Sequence, residues 1–316
     1  VDGGNYIISG SKTYTIEPKV IDVEITLTSE EEFIYDGKEK KPTIKVKTEN
    51  SLVDEKDYEI IYENNINAGT ATITIKSKKE PNVKYNGSQT FVIGRKEITP
   101  TITINGTENY IYNGTAQTPS ITVKYGDVEI DPNEYNVEYS NNTNVGTAQI
   151  TVTNNDVGNY TINEVQKEFT ITQKDVTVTA EDKSKVYGEL EVDLTYKAEG
   201  LVNEETLSNI NLEREAGENV GTYKITASQN EGENPNYKVK FVDGTYTIAK
   251  KAVTVSVDSK TKVYGKNDEK LTATVTGLEG TDKVTYKINR EKGEDVGVYE
   301  ITVTGEEVQG NYKVTF

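Results

Sequence analysis

Apolar and polar residues alternate in short runs along this chain. Val176-Thr177-Val178-Thr179-Ala180 and Val253-Thr254-Val255-Ser256-Val257 place an apolar side chain at every second position, as do Thr72-Ile73-Thr74-Ile75 and Ile121-Thr122-Val123. A period of two sends successive side chains to opposite faces, so these runs predict half-buried β-strands. Their Val, Ile and Thr residues suit a pleated surface. Tyr58, Ile60 and Tyr62 share one face, and Tyr135, Val137 and Tyr139 repeat the arrangement. Between the runs stand Asp36-Gly37, Asn86-Gly87, Asn105-Gly106, Asn113-Gly114 and Asp243-Gly244, pairs that tolerate the positive φ of tight turns. No amphipathic helix of three turns stands out. One helical turn is expected at Asn203-Glu204-Glu205-Thr206-Leu207, with Asn203 as its cap. Many short strands with regular turn signals predict an all-β chain of small sandwiches.

The pattern also repeats over a longer period. Tyr35, Tyr112, Tyr187 and Tyr264, each one or two residues before a Gly, are spaced by 77, 75 and 77 residues. Gly69, Gly146, Gly221 and Gly297, each after an Asn-x or Asp-x pair, are spaced by 77, 75 and 76. The aromatics Tyr14, Phe91, Phe169 and Tyr246 are spaced by 77, 78 and 77. Three independent markers with one period predict tandem units: residues 1–18 as the tail of a preceding repeat, then repeats at 19–95, 96–173, 174–249 and 250–316, the last short of its closing strand. The junctions are short and hold no Gly/Ser tract, which predicts a stiff, extended rod. The four glycines are expected at turn positions that a Cβ would strain.

Composition narrows the function. Hydrophobic residues make up 34% of the chain, below the roughly 45–50% of an ordinary globular chain, a figure that includes Gly; several thin cores are expected rather than one deep one. With 35 Lys+Arg against 52 Asp+Glu the formal charge is −17, which opposes binding to nucleic acid or to an anionic membrane. No apolar run approaches the ~18 residues of a membrane span. Cys, His, Met and Trp are all absent. That removes disulfides, thiol nucleophiles, His bases and the common zinc and haem ligands. Carboxylate chemistry, binding modules and structural roles survive.

Four acidic clusters could in chemistry supply catalytic carboxylate pairs: Glu30-Glu31-Glu32, Asp54-Glu55-Lys56-Asp57, Asp127 with Glu129 and Asp131, and Glu291 with Glu294 and Asp295. They lie in polar, turn-like segments and differ between repeats, so they are expected to be solvated loops. No catalytic, cofactor-binding or metal-ligating residue is therefore assigned. Ca2+ is the one metal the composition admits, through the alternating carboxylates of Asp127, Glu129 and Asp131, which lack the Gly and final Glu of an EF-hand loop. The Asn-x-Ser/Thr triplets at Asn86, Asn105, Asn113, Asn141 and Asn159 are read as turn chemistry. An internal Lys–Asn or Lys–Asp isopeptide bond would suit a rod without Cys, but the sequence locates none. The 21 Tyr could form a sugar-stacking surface; their recurrence at one phase of the repeat instead predicts rings in thin cores with hydroxyls at the rim.

The third and fourth repeats resemble the MBG domains of bacterial surface proteins. The matching text is Val176–Ala180, Lys183-Ser-Lys-Val-Tyr-Gly188, Gly200-Leu201, Val220-Gly-Thr-Tyr223 and Asn236-Tyr237 with Gly244-Thr-Tyr-Thr-Ile248. It recurs as Lys260-Thr-Lys-Val-Tyr-Gly265, Gly277-Leu278, Val296-Gly-Val-Tyr299 and Asn311-Tyr312. The first two repeats are similar to YDG-type Ig-like repeats, through Tyr35-Asp-Gly, Lys41-Pro42 and Tyr62-Glu-Asn-Asn65, and Tyr112-Asn-Gly, Thr118-Pro119 and Tyr139-Ser-Asn-Asn142. The resemblance implies a tandem array of Ig-like β-sandwich repeats, with a β-grasp-like variant open for the MBG-type pair. It also implies an extracellular or cell-surface setting. The expected role is a non-enzymatic stalk or adhesin segment, with glycan or mucin binding by the repeats as the alternative. Thr13-Tyr14-Thr15-Ile16 matches Thr245-Tyr246-Thr247-Ile248. Residues 11–17 are thus expected either to belong to a covalent array cut at both ends or to support head-to-tail self-association by completing residues 251–316 of another copy.

Overall fold

The computed structural model describes residues 10–29 and 31–316; the Asn5-Tyr6-Ile7-Ile8 part of the tail motif, and Glu30, lie outside them. The described chain is built from β-strands with two single-turn 3-10 helices and no α-helix. It divides into two compact units, one of Val1–Glu108, Gln117–Asn142 and Thr147–Thr170, the other of Asn109–Ala116, Thr143–Gly146 and Ile171–Phe316.

In the first unit, Gly69–Ser77 pairs antiparallel with Tyr58–Glu63 and with Ser88–Gly94, and Phe33–Ile34 adds to the latter in parallel. Glu24–Leu27 pairs with Ile44–Lys47. The alternation seen in the sequence sorts the faces: Ala71, Ile73 and Ile75 are buried, and they share one core with Ile25, Val46, Tyr58, Phe91 and Ile93 from both sheets. A second set repeats the theme, with Thr101–Ile104, Ile121–Tyr125 and Val128–Glu129 in one sheet and Tyr135–Ser140 paired from Tyr135↔Asn154 to Ser140↔Gln149. Two fixtures recur. The Tyr62 hydroxyl donates to the Pro42 carbonyl (2.9 Å) and the Tyr139 hydroxyl to Pro119 (2.7 Å). The Asn65 and Asn142 amides each donate to a carbonyl across the repeat, that of Lys40 or Gln117, at 2.9 Å. These contacts explain the Lys-Pro or Thr-Pro and Tyr-x-Asn-Asn text as buried polar groups finding partners.

In the second unit, Lys174–Ala180 lies between Tyr196–Glu199 (antiparallel) and Tyr237–Val242 (parallel). The facing sheet runs Lys183–Val186, Gly244–Ala249, Gly221–Ser228, Asn211–Arg214. Val176, Val178, Ala180, Ile225, Tyr246 and Ile248 are buried between them. Further along, Lys251–Val257 pairs with Ala273–Thr276 and with Tyr312–Thr315, and Lys287–Arg290 pairs with Ile301–Thr304. The sheets face one another with no helix laid across them, so these repeats are sandwiches and the β-grasp-like alternative falls away. One register is common to all four: the parallel pairs Lys19↔Val83, Lys96↔Tyr160, Lys174↔Tyr237 and Lys251↔Tyr312.

Two expectations fail here. Asn203 and Glu204 take φ of +49° and +58°, a left-handed pair that reverses the chain, so no helical turn forms at 203–207. The short helices are instead Glu55–Asp57 and Pro132–Glu134, capped by the Asp54 and Asp131 carboxylates. The glycine expectation is half right. Gly69 and Gly146 have φ of +132° and +142°. Gly221 and Gly297 do not have positive φ, and an added Cβ at Gly221 would meet nothing nearer than the Tyr223 ring at 3.9 Å. Gly69→Ala and Gly146→Ala should therefore each lower stability by about 1 kcal/mol, whereas Gly221→Ala should leave it nearly unchanged; denaturant titration of the three variants against the parent checks the contrast.

Candidate functional site

The recurring polar cluster of this chain sits at the junctions. Each repeat opens on a Lys whose N–H donates to the carbonyl of an Asn about 62 residues later: Lys19 to Asn82 (2.9 Å), Lys96 to Asn159 (3.0 Å), Lys174 to Asn236 (3.1 Å) and Lys251 to Asn311 (3.0 Å). The main chain of that Asn is thereby anchored in its own repeat. In three cases its side chain reaches back to the Asn-x-Gly loop of the repeat before. Oδ1 of Asn159 accepts from Ala68 N (2.9 Å), that of Asn236 from Val145 N (3.0 Å) and that of Asn311 from Val220 N (2.9 Å). The Nδ2 group of the same residues donates to Asn67, Asn144 and Asn219 Oδ1, at 3.4, 3.0 and 3.0 Å. Asn carries its acceptor and its donor on separate atoms of one short side chain, and both are used.

The residue after each of these Asn is a Tyr that stacks edge-on against the Tyr-(x)-Gly tyrosine of the preceding repeat. The pairs are Tyr35–Tyr160, Tyr112–Tyr237 and Tyr187–Tyr312, with centroids 5.3, 5.4 and 5.5 Å apart and planes at 88°, 86° and 84°. This is the favoured arrangement of two ring quadrupoles. A carboxylate completes each clasp. Glu205 accepts from the hydroxyls of Tyr112 (2.8 Å) and Tyr237 (2.5 Å), and Asp282 from those of Tyr187 (3.0 Å) and Tyr312 (2.5 Å). In the first clasp Glu134 instead accepts from the main-chain N–H groups of Asn159 (2.8 Å) and Tyr160 (3.2 Å). The left-handed turn at Asn203-Glu204 is what presents Glu205. Burial, reinforced by the neighbouring carboxylate, pushes the Tyr237 and Tyr312 hydroxyls up to about 12; burial first and Glu205 second also raise Tyr112.

Members of three of the four acidic clusters make local contacts. Asp54 caps a 3-10 turn through Lys56 N (3.1 Å), and Asp57 pairs with Lys79 (2.5 Å). Asp131 accepts from Asn133 N (2.9 Å) and Nδ2 (2.8 Å), apart from any grouping with Asp127 and Glu129; among the described residues no group of three or more acidic side chains converges on a metal position. Glu294 holds Lys262 (2.7 Å) and Arg290 (3.1 Å). Among the described residues no helix is long and apolar enough to cross a membrane. Sequence reasoning treated the tyrosines as core and Asn159 as a turn residue. The missed signal was the Asn-Tyr dipeptide at 159, 236 and 311, which keeps a separation of 91 or 92 residues from the Asn-x-Gly loops.

Residues 176–247 and 253–316 each match the family model of the MBG domain (YGX type), so the third and fourth repeats are tandem MBG-type repeats. No curated protein matches the chain. Among solved structures, the chain is similar to the S-layer protein rSbsC, at 12% identity over 89% of this chain and 48% of that one, with a TM-score of 0.20. It is also similar to domains 1–6 of surface layer protein SbsC, at 14% identity over 93% of this chain and 41% of that one, with a TM-score of 0.17. The chain thus spans less than half the length of either.

Two outcomes follow from the clasp. Asn236→Ala strands the Val145 N–H and should lower the unfolding midpoint of the second compact unit, by the equivalent of about 1–3 kcal/mol, with Asn82→Ala as the milder control; calorimetry resolves the affected transition. The second concerns pH. A free tyrosine titrates near 10, and Tyr237 and Tyr312 at about 12 when folded. Between those values the folded chain keeps protons the unfolded chain has lost, so this contribution is whole below pH ~10 and is lost as pH rises toward 12. Tyrosinate absorbance should show a late-titrating class that vanishes in denaturant.

Proposed function

We propose that this chain is a spacer segment of a bacterial surface protein or surface fibre, a stalk in which small β-sandwiches supply length and the clasps hold successive repeats in register. The observation that carries the reading is the threefold recurrence of one Asn–loop, Tyr–Tyr and carboxylate arrangement. A spacer needs the same contact at each junction, whereas a binding or catalytic site needs to occur once. The clasp hydroxyls, amides and carboxylates bond mainly to one another and to main chain, which leaves them poorly placed to receive a sugar. The MBG-type repeats support an extracellular or cell-surface setting, and nothing in the reading requires an enzymatic activity.

Small-angle scattering on the whole chain tests it. A clasped spacer should give a radius of gyration well above the ~20 Å of a compact domain this long. The combined variant Asn159→Ala, Asn236→Ala and Asn311→Ala should broaden the distance distribution while circular dichroism keeps its strand signal. Saturable binding of the parent chain to immobilised mucin or a glycan array would instead make the repeats an adhesive surface and displace the spacer reading.

A further inference from the structure

Of the side chains that give up an electron most readily, this chain has one kind: it holds 21 Tyr and no Cys, Met or Trp. Six of those tyrosines stand in the three clasp pairs, and the members of every pair are 125 residues apart: Tyr35 and Tyr160, Tyr112 and Tyr237, Tyr187 and Tyr312. In the second and third pairs both phenols converge on one acceptor. Tyr112 donates to Glu205 Oε1 and Tyr237 to Oε2, while Tyr187 and Tyr312 both donate to Asp282 Oδ2. Ring carbons ortho to a hydroxyl flank it, so hydroxyls that meet at one carboxylate bring ortho carbons of the two rings to the same side.

A phenol becomes a far stronger acid once it loses an electron, so its oxidation is easiest where a base in hydrogen-bond reach takes the proton. Burial, reinforced by the carboxylate, keeps Tyr237 and Tyr312 protonated up to about 12; Glu205 and Asp282 are the bases in contact with them. Both carboxylates are half-buried and so pass a proton on to water. The rings of Tyr112, Tyr237 and Tyr312 are buried and that of Tyr187 half-buried, so a radical formed there meets its partner ring before it meets another molecule. The first clasp differs: Glu134 accepts from main-chain N–H groups, and the Tyr160 hydroxyl meets that of Tyr35.

We propose that the Tyr112–Tyr237 and Tyr187–Tyr312 pairs are sites of oxidative cross-linking. Each closes to a dityrosine bond between successive repeats when an external one-electron oxidant is supplied, of the kind a peroxide-fed peroxidase releases. Each phenol gives one electron to one equivalent of oxidant and its hydroxyl proton to the shared carboxylate, which sheds the first proton to water before taking the second. The two phenoxyl radicals join through ortho carbons in one carbon–carbon bond. The hydrogen on each joined carbon then moves to its own oxygen, restoring both rings and both hydroxyls. The pair has thus lost two electrons and two protons and no other atom. The bond fastens the clasp covalently in a chain with no Cys to do so. This goes beyond the spacer reading and rests on the geometry of the clasp alone; its readout is a covalent bond, so either can fail without the other.

The test oxidises the whole chain, kept dilute, with photo-excited ruthenium tris-bipyridine and persulfate as the electron acceptor. Links in the monomer fraction are mapped by proteolysis and mass spectrometry. The expected result is dityrosine fluorescence in the monomer, with peptides joined at 112–237 and 187–312, each pair lighter by two hydrogens, ahead of any link at 35–160. Glu205→Gln keeps an acceptor oxygen but not the base. It should slow the 112–237 link at least about tenfold while the 187–312 link in the same molecule proceeds as in the parent. Tyr237→Phe should abolish the 112–237 link alone. Circular dichroism checks that each variant keeps its strand signal; where one does not, the map of the parent decides alone. Links found only in oligomers, or scattered among exposed tyrosines of the monomer, overturn the proposal. So does a 35–160 link as fast as the other two, or a folded Glu205→Gln chain that links at the parent's rate.

Discussion

A main-chain N–H at the turn of a loop must find an acceptor, and in this chain a neighbouring repeat provides it. The N–H groups of Ala68, Val145 and Val220 each receive the side-chain oxygen of an Asn about 91 residues later. That Asn is held in place by its own carbonyl, which takes the N–H of the Lys that opens its repeat. One residue thus ties the first strand of a repeat and the loop of the repeat before it to a single point. The adjacent Tyr then has a fixed entry angle, which is why three ring pairs agree within 0.2 Å in separation and 4° in tilt. Burying the loop N–H without that partner would cost on the order of 1–3 kcal/mol.

Thin cores explain why so much rests on polar contacts. A chain with 34% hydrophobic residues cannot stack many apolar layers, so each sandwich is sealed by a handful of alternating Ile and Val side chains and finished with Tyr. The tyrosine ring contributes apolar area and its hydroxyl reaches a rim acceptor: Pro42 and Pro119 carbonyls within repeats, Glu205 and Asp282 at junctions. Phe could supply the area but would leave those acceptors unanswered. With no Cys, the chain uses hydrogen-bonded tyrosines where disulfide-rich small domains use cross-links.

Charge is arranged by the same economy. The formal charge is −17, and several of the cations are set among carboxylates. Lys185, the one buried lysine among the described residues, is held by Glu191 and Glu218, and these bonds raise its affinity for the proton while lowering that of both acids. The counterpart around Lys262 and Arg290 shifts in the same directions, through hydrogen bonds with Asp268 and Glu294. In the third repeat this frame walls the buried Tyr246.

The strands, their faces and the long period were legible in the residues themselves, because alternation and turn chemistry are local properties of neighbouring side chains. The alternation at Ala71-Thr72-Ile73-Thr74-Ile75 is enough to say which side chains are buried, and the Asn-Gly and Asp-Gly pairs place positive-φ turns at Gly37, Gly106 and Gly114, though not at Gly87 or Gly244, where a single residue separates consecutive strands and neither glycine takes a positive φ. What the residues could not say was which partner each polar group meets, since Asn236 and Val145 lie 91 positions apart and no local rule joins them. The same limit undid the helical turn expected at Asn203, where the tertiary fold imposes a left-handed pair in order to aim Glu205, and the expected strain at Gly221, where the strand starts in an ordinary conformation. Periodicity determines that a contact recurs. Only packing in three dimensions decides that Tyr35, Tyr112 and Tyr187 each meet a tyrosine of the next repeat.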